Sequence, residues 1–346
     1  MRAAVCLPGE RISVEEWPQP RLEPGDVLVR VHAVSICATD LKIARRGHFK
    51  IPPGTRRILG HEIAGEIVEV RAPESTVRAG LRVGLVPNVG CGRCSACVLG
   101  LDSLCPDYDA LGITLDGGFA EFVRVPARAV QRGHVVPLPE EVTFEEAALA
   151  EPLSCVLNAH EAVATGPADR VLILGAGPMG LLNTLVARVR GAGEVVVADP
   201  WPQRREAALG VGADQALPPE AVPELGDGFD VVIVTAPDPR AQEQAIRAAG
   251  VRGRVNFFAG FPSERASPVL DTNRVHYRQL LLTGTTGQTV AHYRRALRLL
   301  PRLRPYLARL VTDRRPLEEV AAAMEAMTAK RSLKAMLFPG DLQERG

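Results

Sequence analysis

The stretch VLILGAGPMG, residues 171–180, constrains the fold of this chain more than any other. An apolar strand leads into Gly175, Gly177 and Gly180, spaced G-x-G-x-x-G, and an apolar helical pattern follows. The first glycine permits a tight turn, the second lets a pyrophosphate approach the backbone, and the third lets the helix pack on the strand. A second strand, EVVVAD, ends at Asp199, about twenty residues further on. This context predicts a parallel, doubly wound α/β sheet that binds a dinucleotide at the helix N-terminus.

Asp199 indicates which dinucleotide the sequence favours. Its carboxylate can accept hydrogen bonds from an unmodified adenine ribose and would repel a 2′-phosphate, so NAD is favoured over NADP. Arg204 and Arg205 lie close by and count in the opposite direction. The alternative is a glycine-rich turn that binds nothing. The residues predicted to contact the cofactor are Gly175, Gly177, Pro178, Met179, Gly180, Asp199, Arg204 and Thr235.

Length and pattern indicate two domains in this chain of 346 residues. Over roughly the first 140 residues, short strands such as ISVEEW, VLVRVHAV, EIAGEIVEV and FAEFVRV alternate with Gly and Pro, which is typical of an all-β unit. A capping box of Thr143 and Glu146 then opens a helical stretch that runs to Ala164. Alternating strands and helices follow, and the chain closes with two helical segments and a strand, LKAMLF.

Composition excludes some classes of function. Hydrophobic residues make up 46% and charged residues 23%, as in soluble globular proteins, and the formal net charge of +1 is too small to hold a polyanion. The N-terminus does not resemble a signal peptide, and no apolar run approaches the ~20 residues that span a bilayer. We therefore expect a cytoplasmic protein without nucleic-acid or membrane partners.

Four cysteines lie in the fifteen residues CGRCSACVLGLDSLC. Cys91, Cys94, Cys97 and Cys105 can close a tetrahedral zinc site with no open position, which makes such a site structural. An iron–sulfur cluster also uses four cysteines, and the spacing excludes neither metal. Disulfides are a third possibility, although reduced thiols are expected in the cytosol.

A second set of metal-binding residue types is scattered along the chain. Cys37, His61, Glu62 and Glu151 offer the sulfur, imidazole and carboxylate ligands that zinc accepts, and catalytic zinc takes three protein ligands. Each residue also has an ordinary explanation as a small core side chain or a hydrogen-bonded polar group. Spacing alone does not connect them.

Taken together, these motifs identify a family. The segments ICATDLKI, ILGHEIAGEIVEV, the four-cysteine stretch, DGGFAEFVRVP, EEAALAEPLSC and VLILGAGPMGLL occur in this order along nearly the whole chain. The sequence resembles the zinc-dependent medium-chain alcohol dehydrogenases, and among them the polyol, or sorbitol-type, branch. The resemblance implies a GroES-like β-rich catalytic domain over residues 1–155, to which residues 291–346 return. It also implies a Rossmann domain over residues 156–290.

The resemblance implies roles for individual residues. Cys37 and His61, with Glu62 or Glu151, would hold catalytic zinc, and Cys91, Cys94, Cys97 and Cys105 would hold structural zinc. Asp40 would orient the imidazole of His61, and Thr39 would relay the substrate proton. Lys42 stands where many relatives have a histidine that passes the proton to solvent, so either Lys42 or water would complete the relay. The family usually forms dimers or tetramers.

The resemblance also implies the reaction. The expected activity is oxidation of a secondary alcohol of a polyol, sugar or cyclitol to a ketone with NAD. Threonine-type amino-alcohol oxidation and glucose 1-dehydrogenation are alternatives within the fold. A cofactor-binding protein without catalysis and a zinc-ribbon nucleic-acid binder are alternatives of other classes. The basic segment ARRGHFKIPPGTRR, residues 44–57, could favour a phosphorylated substrate or be a solvated loop.

Overall fold

A computed structural model describes residues 1–9, 11–72, 77–261 and 267–340. The chain divides into two compact units. Unit 1 comprises residues 1–154 and 287–346, and unit 2 comprises residues 155–286. Among the described residues, no helix is both long enough and apolar enough to cross a membrane.

The strands are short. In chain order they are β1 (Arg2–Cys6), β2 (Ser13–Glu16), β3 (Val27–Ser35), β4 (Arg57–Ile58), β5 (Glu62–Val70), β6 (Arg82–Leu85), β7 (Asn88–Val89), β8 (Asp109–Ala110), β9 (Phe122–Val125), β10 (Val135–Pro137), β11 (Arg170–Leu174), β12 (Glu194–Ala198), β13 (Gln215–Leu217), β14 (Phe229–Val234), β15 (Ala249–Phe257), β16 (Leu281–Gly284), β17 (Val311–Pro316) and β18 (Lys334–Phe338).

The α-helices lie between these strands. They are α1 (Ala38–Arg46), α2 (Ser95–Val98), α3 (Ala127–Gln131), α4 (Phe144–Ala148), α5 (Ala150–Ala162), α6 (Pro178–Val189), α7 (Pro202–Gly210), α8 (Pro239–Ala248), α9 (Thr272–Arg278), α10 (Val290–Leu310) and α11 (Val320–Thr328).

Unit 1 is built around a mainly antiparallel sheet. Its strand order is β10-β6-β5-β3-β18-β17, and β9 also pairs with β3. The long central strands β3 and β5 carry apolar residues on the face that packs into the core, which includes Val29, Val31, Ile63 and Ile67. The closing strand β18 returns to pair with β3, where Met336 lies opposite Ser35. Strands β17 and β18 are therefore part of the same sheet as β3 and β5.

Unit 2 contains a parallel sheet in the order β13-β12-β11-β14-β15-β16. This order and pairing are those of a Rossmann doubly wound sheet. The central strands β11 and β14 are almost entirely buried, which explains why VLIL and VVIV are continuous apolar runs. The predicted α/β fold class is confirmed.

Unit 1 is less purely β than the sequence suggested. Helix α1 interrupts the region predicted as short strands, and α2 and α3 add shorter turns. Helix α1 begins after Cys37, whose backbone N–H donates to the Asp40 carboxylate at 2.8 Å. This acidic residue in the first turn stabilises the helix start. The predicted capping box of Thr143 and Glu146 is present at the start of α4.

Candidate active site and metal centres

The ends of β3 and β5 bring together residues that are distant in sequence. Cys37 follows β3, and His61 and Glu62 stand at the beginning of β5. The antiparallel register pairs Ser35 directly with Glu62. As a result, one ligand atom from each of Cys37, His61 and Glu62 lies within 4.8 Å of the others. We call these three residues the mixed cluster.

Asp40 supports the imidazole of this cluster. Its fully buried carboxylate accepts from the backbone N–H groups of Cys37, at 2.8 Å, and Gly60, at 3.2 Å. The same carboxylate lies 3.4 Å from Nδ1 of His61. Burial lowers the pKa of His61, but Asp40 and Cys37 outweigh it and raise that pKa well above its usual value. His61 is thus held on one side by a carboxylate and faces a thiol.

Lys334 is a member of this site that the sequence analysis missed. Its Nζ lies 2.7 Å from Oε1 of Glu62 and 3.1 Å from the main-chain oxygen of Ile36. The hydroxyl of Ser35 also donates to Glu62. Lys334 is 3% exposed, and burial lowers its pKa, but the charge of Glu62 raises that pKa above its usual value. The signal in the sequence was a lone lysine in an apolar closing strand, LKAMLF.

The mixed cluster fits a divalent metal ion. Asp40 and Glu62 are two buried carboxylates beside a thiol, and Lys334 is the buried ammonium that pairs with Glu62. A sulfur, an imidazole nitrogen and a carboxylate oxygen match the ligand types that zinc accepts. Nδ1 of His61 faces the Asp40 carboxylate, so Nε2 is the imidazole nitrogen that would bind the ion. Three protein ligands would leave a position open for a further ligand.

Three other predicted residues occupy distinct positions. Glu151 is buried in the first turn of α5 and lies outside the mixed cluster, although its charge also raises the pKa of Lys334. Thr39 is half-buried in the first turn of α1, two residues after Cys37. Lys42 is exposed. The structure therefore groups Glu62, and not Glu151, with the thiol and the imidazole.

The basic segment 44–57 has largely internal partners. Lys50 donates to the main-chain oxygen of Tyr108 at 2.8 Å, and its ammonium lies 3.5 Å from the centroid of that ring. Arg56 pairs with Glu15, and Arg57 pairs with Asp116. Arg45, Arg46 and Arg56 are exposed, and the first two lie on the last turn of α1.

The four cysteines form a separate cluster in unit 1. The ligand atoms of Cys91, Cys94, Cys97 and Cys105 all lie within 4.8 Å of one another. All seven cysteines of the chain are among the described residues, and each is an unbridged thiol. Convergence of four thiols from one short segment fits a tetrahedral metal site. We call residues 91–105 the cysteine lobe.

The thiols of the lobe differ in their environments. Backbone N–H groups of Arg93 and Cys94 lower the pKa of Cys91 to about 6. Burial raises the pKa of Cys97 to about 12. A metal ligand must be a thiolate, so one thiol is already poised to bind and another needs the metal itself to release its proton.

The glycine turn of unit 2 has the geometry that its spacing predicts. Gly175 adopts φ +108°, and a Cβ there would crowd Thr235 Oγ1 and the backbone of Ala236. A Cβ at Gly180 would overlap the main-chain oxygen of Gly175. Gly177 stands at the N-cap of α6 and has open space beside it, whereas Pro178 occupies the first helical turn. The helix N-terminus is therefore accessible to an anion.

A cavity of about 770 Å³ lies beside this turn, within unit 2. Its lining includes Gly175, Asp199, Pro200, Val222 and Ala236. Such a volume and the mixed lining suit the adenosine half of a dinucleotide.

The groups around this cavity are held by the backbone. The two carboxylate oxygens of Asp199 accept from the N–H groups of Ala176 and Trp201, at 2.8 and 2.9 Å. The hydroxyl of Thr235 donates to the main-chain oxygen of Gly175 at 2.9 Å. These bonds fix the shape of the glycine turn before any ligand binds.

Comparison with known proteins gives the family. The family model described as an alcohol dehydrogenase GroES-like domain matches residues 23–140, and the one described as a zinc-binding dehydrogenase matches residues 178–302. The chain is 36% identical to the L-threonine 3-dehydrogenase of Pyrococcus horikoshii, with 81% of each chain covered. The chain belongs to the zinc-dependent medium-chain alcohol dehydrogenases. The predicted family and the GroES-like and Rossmann folds are thus confirmed.

Other members of this dehydrogenase family act on different alcohols. The sorbitol dehydrogenase of Bacillus subtilis is 32% identical over 98% of this chain and 97% of its own. The D-altritol 5-dehydrogenase of Agrobacterium fabrum is 35% identical over 92% of this chain and 94% of its own. The family therefore includes both threonine and polyol dehydrogenases.

Solved structures of the family carry either nicotinamide cofactor. A chain from Sinorhizobium meliloti 1021 bound to NADP superposes with a TM-score of 0.87 at 29% identity, covering 98% of this chain and 99% of that one. An alcohol dehydrogenase from Escherichia coli CFT073 complexed with NADH gives 0.87 at 28% identity, with the same coverage. A nicotinamide dinucleotide is thus a cofactor that the fold accommodates.

Proposed function

We propose that this dehydrogenase oxidises a secondary alcohol of a polyol, sugar or cyclitol to a ketone, with NAD as the hydride acceptor. The observation that carries the proposal is the mixed cluster, in which Cys37, His61 and Glu62 converge beside Asp40 and Lys334. A structural protein has no need of a thiol, an imidazole and a buried ion pair at one point. Burying these groups is costly unless they serve a site.

Cys37, His61 and Glu62 would hold catalytic zinc. When bound, zinc supplies Lewis acidity, which makes a substrate hydroxyl easier to deprotonate. Asp40 would keep the His61 ring oriented, because its carboxylate faces Nδ1 and is itself fixed by two backbone N–H groups. Lys334 and Ser35 would hold the Glu62 carboxylate through hydrogen bonds to its two oxygens. Glu151 remains a candidate for a contact to substrate or water.

Thr39 would relay the proton that the substrate hydroxyl releases. Its hydroxyl lies half-buried on the first turn of α1, two residues from Cys37. The oxygen Oγ1 would accept the proton of the substrate hydroxyl and pass its own proton outward. Lys42 is exposed one turn further along the helix and would deliver that proton to solvent, directly or through water.

The Rossmann unit would bind NAD, whose nicotinamide accepts the hydride. Gly177 and the N-terminus of α6 would receive the pyrophosphate, with Pro178 and Met179 in the same turn. Asp199 would accept hydrogen bonds from the adenine ribose. Arg205 is occupied by the main-chain oxygens of Asp199 and Pro200 and is poorly placed to pair with a 2′-phosphate. Arg204, which lies 3.9 Å from Asp199, is a nearby cation that would favour NADP.

An amino-alcohol of the threonine type is the second candidate substrate. Its support is the similarity to threonine dehydrogenases, at 36% identity over 81% of this chain, beside the 32% identity over 98% of this chain to the sorbitol dehydrogenase. Glucose 1-dehydrogenation is a third variant of the same chemistry. The internal partners of Lys50, Arg56 and Arg57 argue against use of this loop for a phosphate ester.

A substrate panel tests the proposal. Formation of reduced nicotinamide would be followed with polyols, aldoses, cyclitols, threonine and sugar phosphates, using NAD and NADP in parallel. The matched control is Cys37→Ser. Turnover of a polyol, sugar or cyclitol with NAD that disappears in the variant is the expected result. Turnover of threonine alone would replace the first candidate by the second, and silence across the panel with bound zinc and NAD would contradict both.

We further expect the four cysteines to hold structural zinc and the protein to act in the cytoplasm as a homodimer or homotetramer. Light scattering coupled to size-exclusion chromatography measures the assembly. A monomer at working concentration would contradict this expectation.

A further inference from the structure

The cysteine lobe has little apolar core of its own. Val98, Leu99 and Leu104 are 74%, 73% and 54% exposed, so the lobe buries few hydrophobic side chains. A small segment without a core needs a metal or a polar attachment to keep one conformation. The contacts between the lobe and the rest of unit 1 therefore matter for its metal.

One buried carboxylate supplies such an attachment. Asp102 is the first residue of a short 3₁₀ helix, Asp102–Leu104, that ends just before Cys105. It is 4% exposed. Its Oδ1 accepts from Nη2 of Arg132 at 2.5 Å, and its Oδ2 lies 3.1 Å from Nε2 of His134. Burial raises the pKa of Asp102, but hydrogen bonds from His134, Cys97 and Arg132 outweigh burial and lower it below its usual value. The carboxylate is thus ionised and fully engaged.

The two partners lie in unit 1 outside the lobe, Arg132 just after α3 and His134 just before β10. His134 is 1% exposed and directly precedes β10, and its Nδ1 lies 3.1 Å from the main-chain oxygen of Val86, just after β6. The backbone N–H of Val86 in turn donates to the main-chain oxygen of His134. Because β10 and β6 pair in the main sheet, His134 is fixed independently of the lobe.

Arg132 reaches a second point of the lobe. Its Nη2 also donates to the main-chain oxygen of Cys97 at 3.3 Å. Gly90 adds independent support, because a Cβ at this position would overlap both Oδ1 of Asp102 and Sγ of Cys97. The backbone at Gly90 thus leaves room for the carboxylate to sit directly against a thiol of the cluster.

We propose that Asp102, held by Arg132 and His134, is a positioning residue that anchors the cysteine lobe to the main sheet and retains its metal ion. This inference rests on the proposed metal occupancy of the four cysteines. Four thiolates around a divalent ion carry net negative charge, and Asp102 adds to it. Arg132 offsets that charge, and together with His134 it fixes the loop that carries Cys97 and Cys105. Removing the carboxylate would break the contacts that hold the loop carrying Cys97 and Cys105 to Arg132 and His134.

Zinc release tests the anchor. The experiment uses the full chain in a Cys37→Ser background, so that lobe zinc is the ion observed, and follows its transfer to a chromophoric chelator. Asp102→Ala is expected to release zinc at least about tenfold faster, the usual scale for loss of a group that supports metal ligands. The matched control is Asp107→Ala, which removes an exposed carboxylate just after the lobe. Its zinc release rate should stay within about twofold of the parent.

A conservative variant separates hydrogen bonding from general destabilisation. In Asp102→Asn the amide oxygen can still accept from Arg132, and the amide N–H can donate to Nε2 of a neutral His134. This variant should therefore retain zinc within about threefold of the parent. Arg132→Gln, at a half-buried position, should accelerate release even if Asp102→Ala does not fold. The double variant with Asp102→Ala should add little further, because the two groups act as one unit.

Three results would overturn the inference. One is zinc release from Asp102→Ala at the parent rate. If Asp102→Ala does not fold, zinc release from Arg132→Gln at the parent rate counts in its place. Another is release from Asp102→Asn as fast as from Asp102→Ala, which would mean that hydrogen bonding is not what holds the lobe. A parent protein without lobe zinc would overturn the anchor and the proposed structural zinc together. The first two results leave the proposed structural zinc intact, so the two failures are distinguishable.

Discussion

The cysteine lobe and the mixed cluster are assembled in opposite ways. The lobe takes four like ligands from residues 91–105 and closes them around one point. The mixed cluster takes a thiol, an imidazole and a carboxylate from the ends of two strands, and Lys334 from a third strand near the end of the chain. A closed site can be built by one local segment, whereas a site with an open position depends on the whole sheet around it.

The two clusters also differ in their supporting charges. At the mixed cluster, Asp40 lies against His61, and Lys334 pairs with Glu62. The lobe has Asp102 between Arg132 and His134 at its edge. In both, a carboxylate is fixed by donors from elsewhere in unit 1. In the mixed cluster, however, the carboxylate of Glu62 is itself one of the proposed ligands. Changes there should therefore affect turnover and not stability alone.

The largest expected effect comes from Cys37→Ser. Loss of the thiolate ligand should lower turnover by about a thousandfold or more, because the Lewis acid is lost with it. Binding of NAD, measured by calorimetry or fluorescence, should change little, since the glycine turn lies in unit 2. Simultaneous loss of activity and NAD binding would instead make Cys37 a structural residue.

Lys334→Met should have the next largest effect. It leaves Glu62 buried without its ammonium partner, and breaking one side of a buried pair typically costs about 3–5 kcal/mol. Denaturant unfolding measures the loss. The double variant Lys334→Met with Glu62→Gln should recover part of it, because no unpaired charge remains. Equal stability of Lys334→Met and the wild type would show that the ion pair between Lys334 and Glu62 does not stabilise the fold.

Glu62 and Glu151 should differ when each is changed to glutamine. Glu62→Gln weakens the mixed cluster directly and should reduce zinc affinity by about ten- to a hundredfold. Glu151→Gln, outside the cluster, should retain zinc within about threefold and alter KM or turnover instead. The comparison uses zinc titration of the metal-free proteins. The opposite ranking would make Glu151 the ligand.

The same contrast explains how much could be predicted from sequence. The glycine turn, the cysteine lobe and the alternating strands of unit 2 are local patterns, and the structure has them where the sequence indicated. The grouping of Cys37, His61 and Glu62 needed the resemblance to a family, because strand register and not spacing brings them together. Lys334 and Asp102 were missed, since a single charged residue becomes informative only when its burial and partners are known.

Timed removal of zinc with a chelator distinguishes the two clusters most directly. We expect about two zinc ions per chain, one with three protein ligands and one with four thiolates. The first to leave should come from the mixed cluster, which offers three ligands where the lobe offers four, and turnover should fall in step with it while the thermal unfolding temperature changes little. Loss of the second ion should lower the unfolding temperature. Turnover that survives the first loss and disappears only with the second would contradict the assignment of catalysis to Cys37, His61 and Glu62.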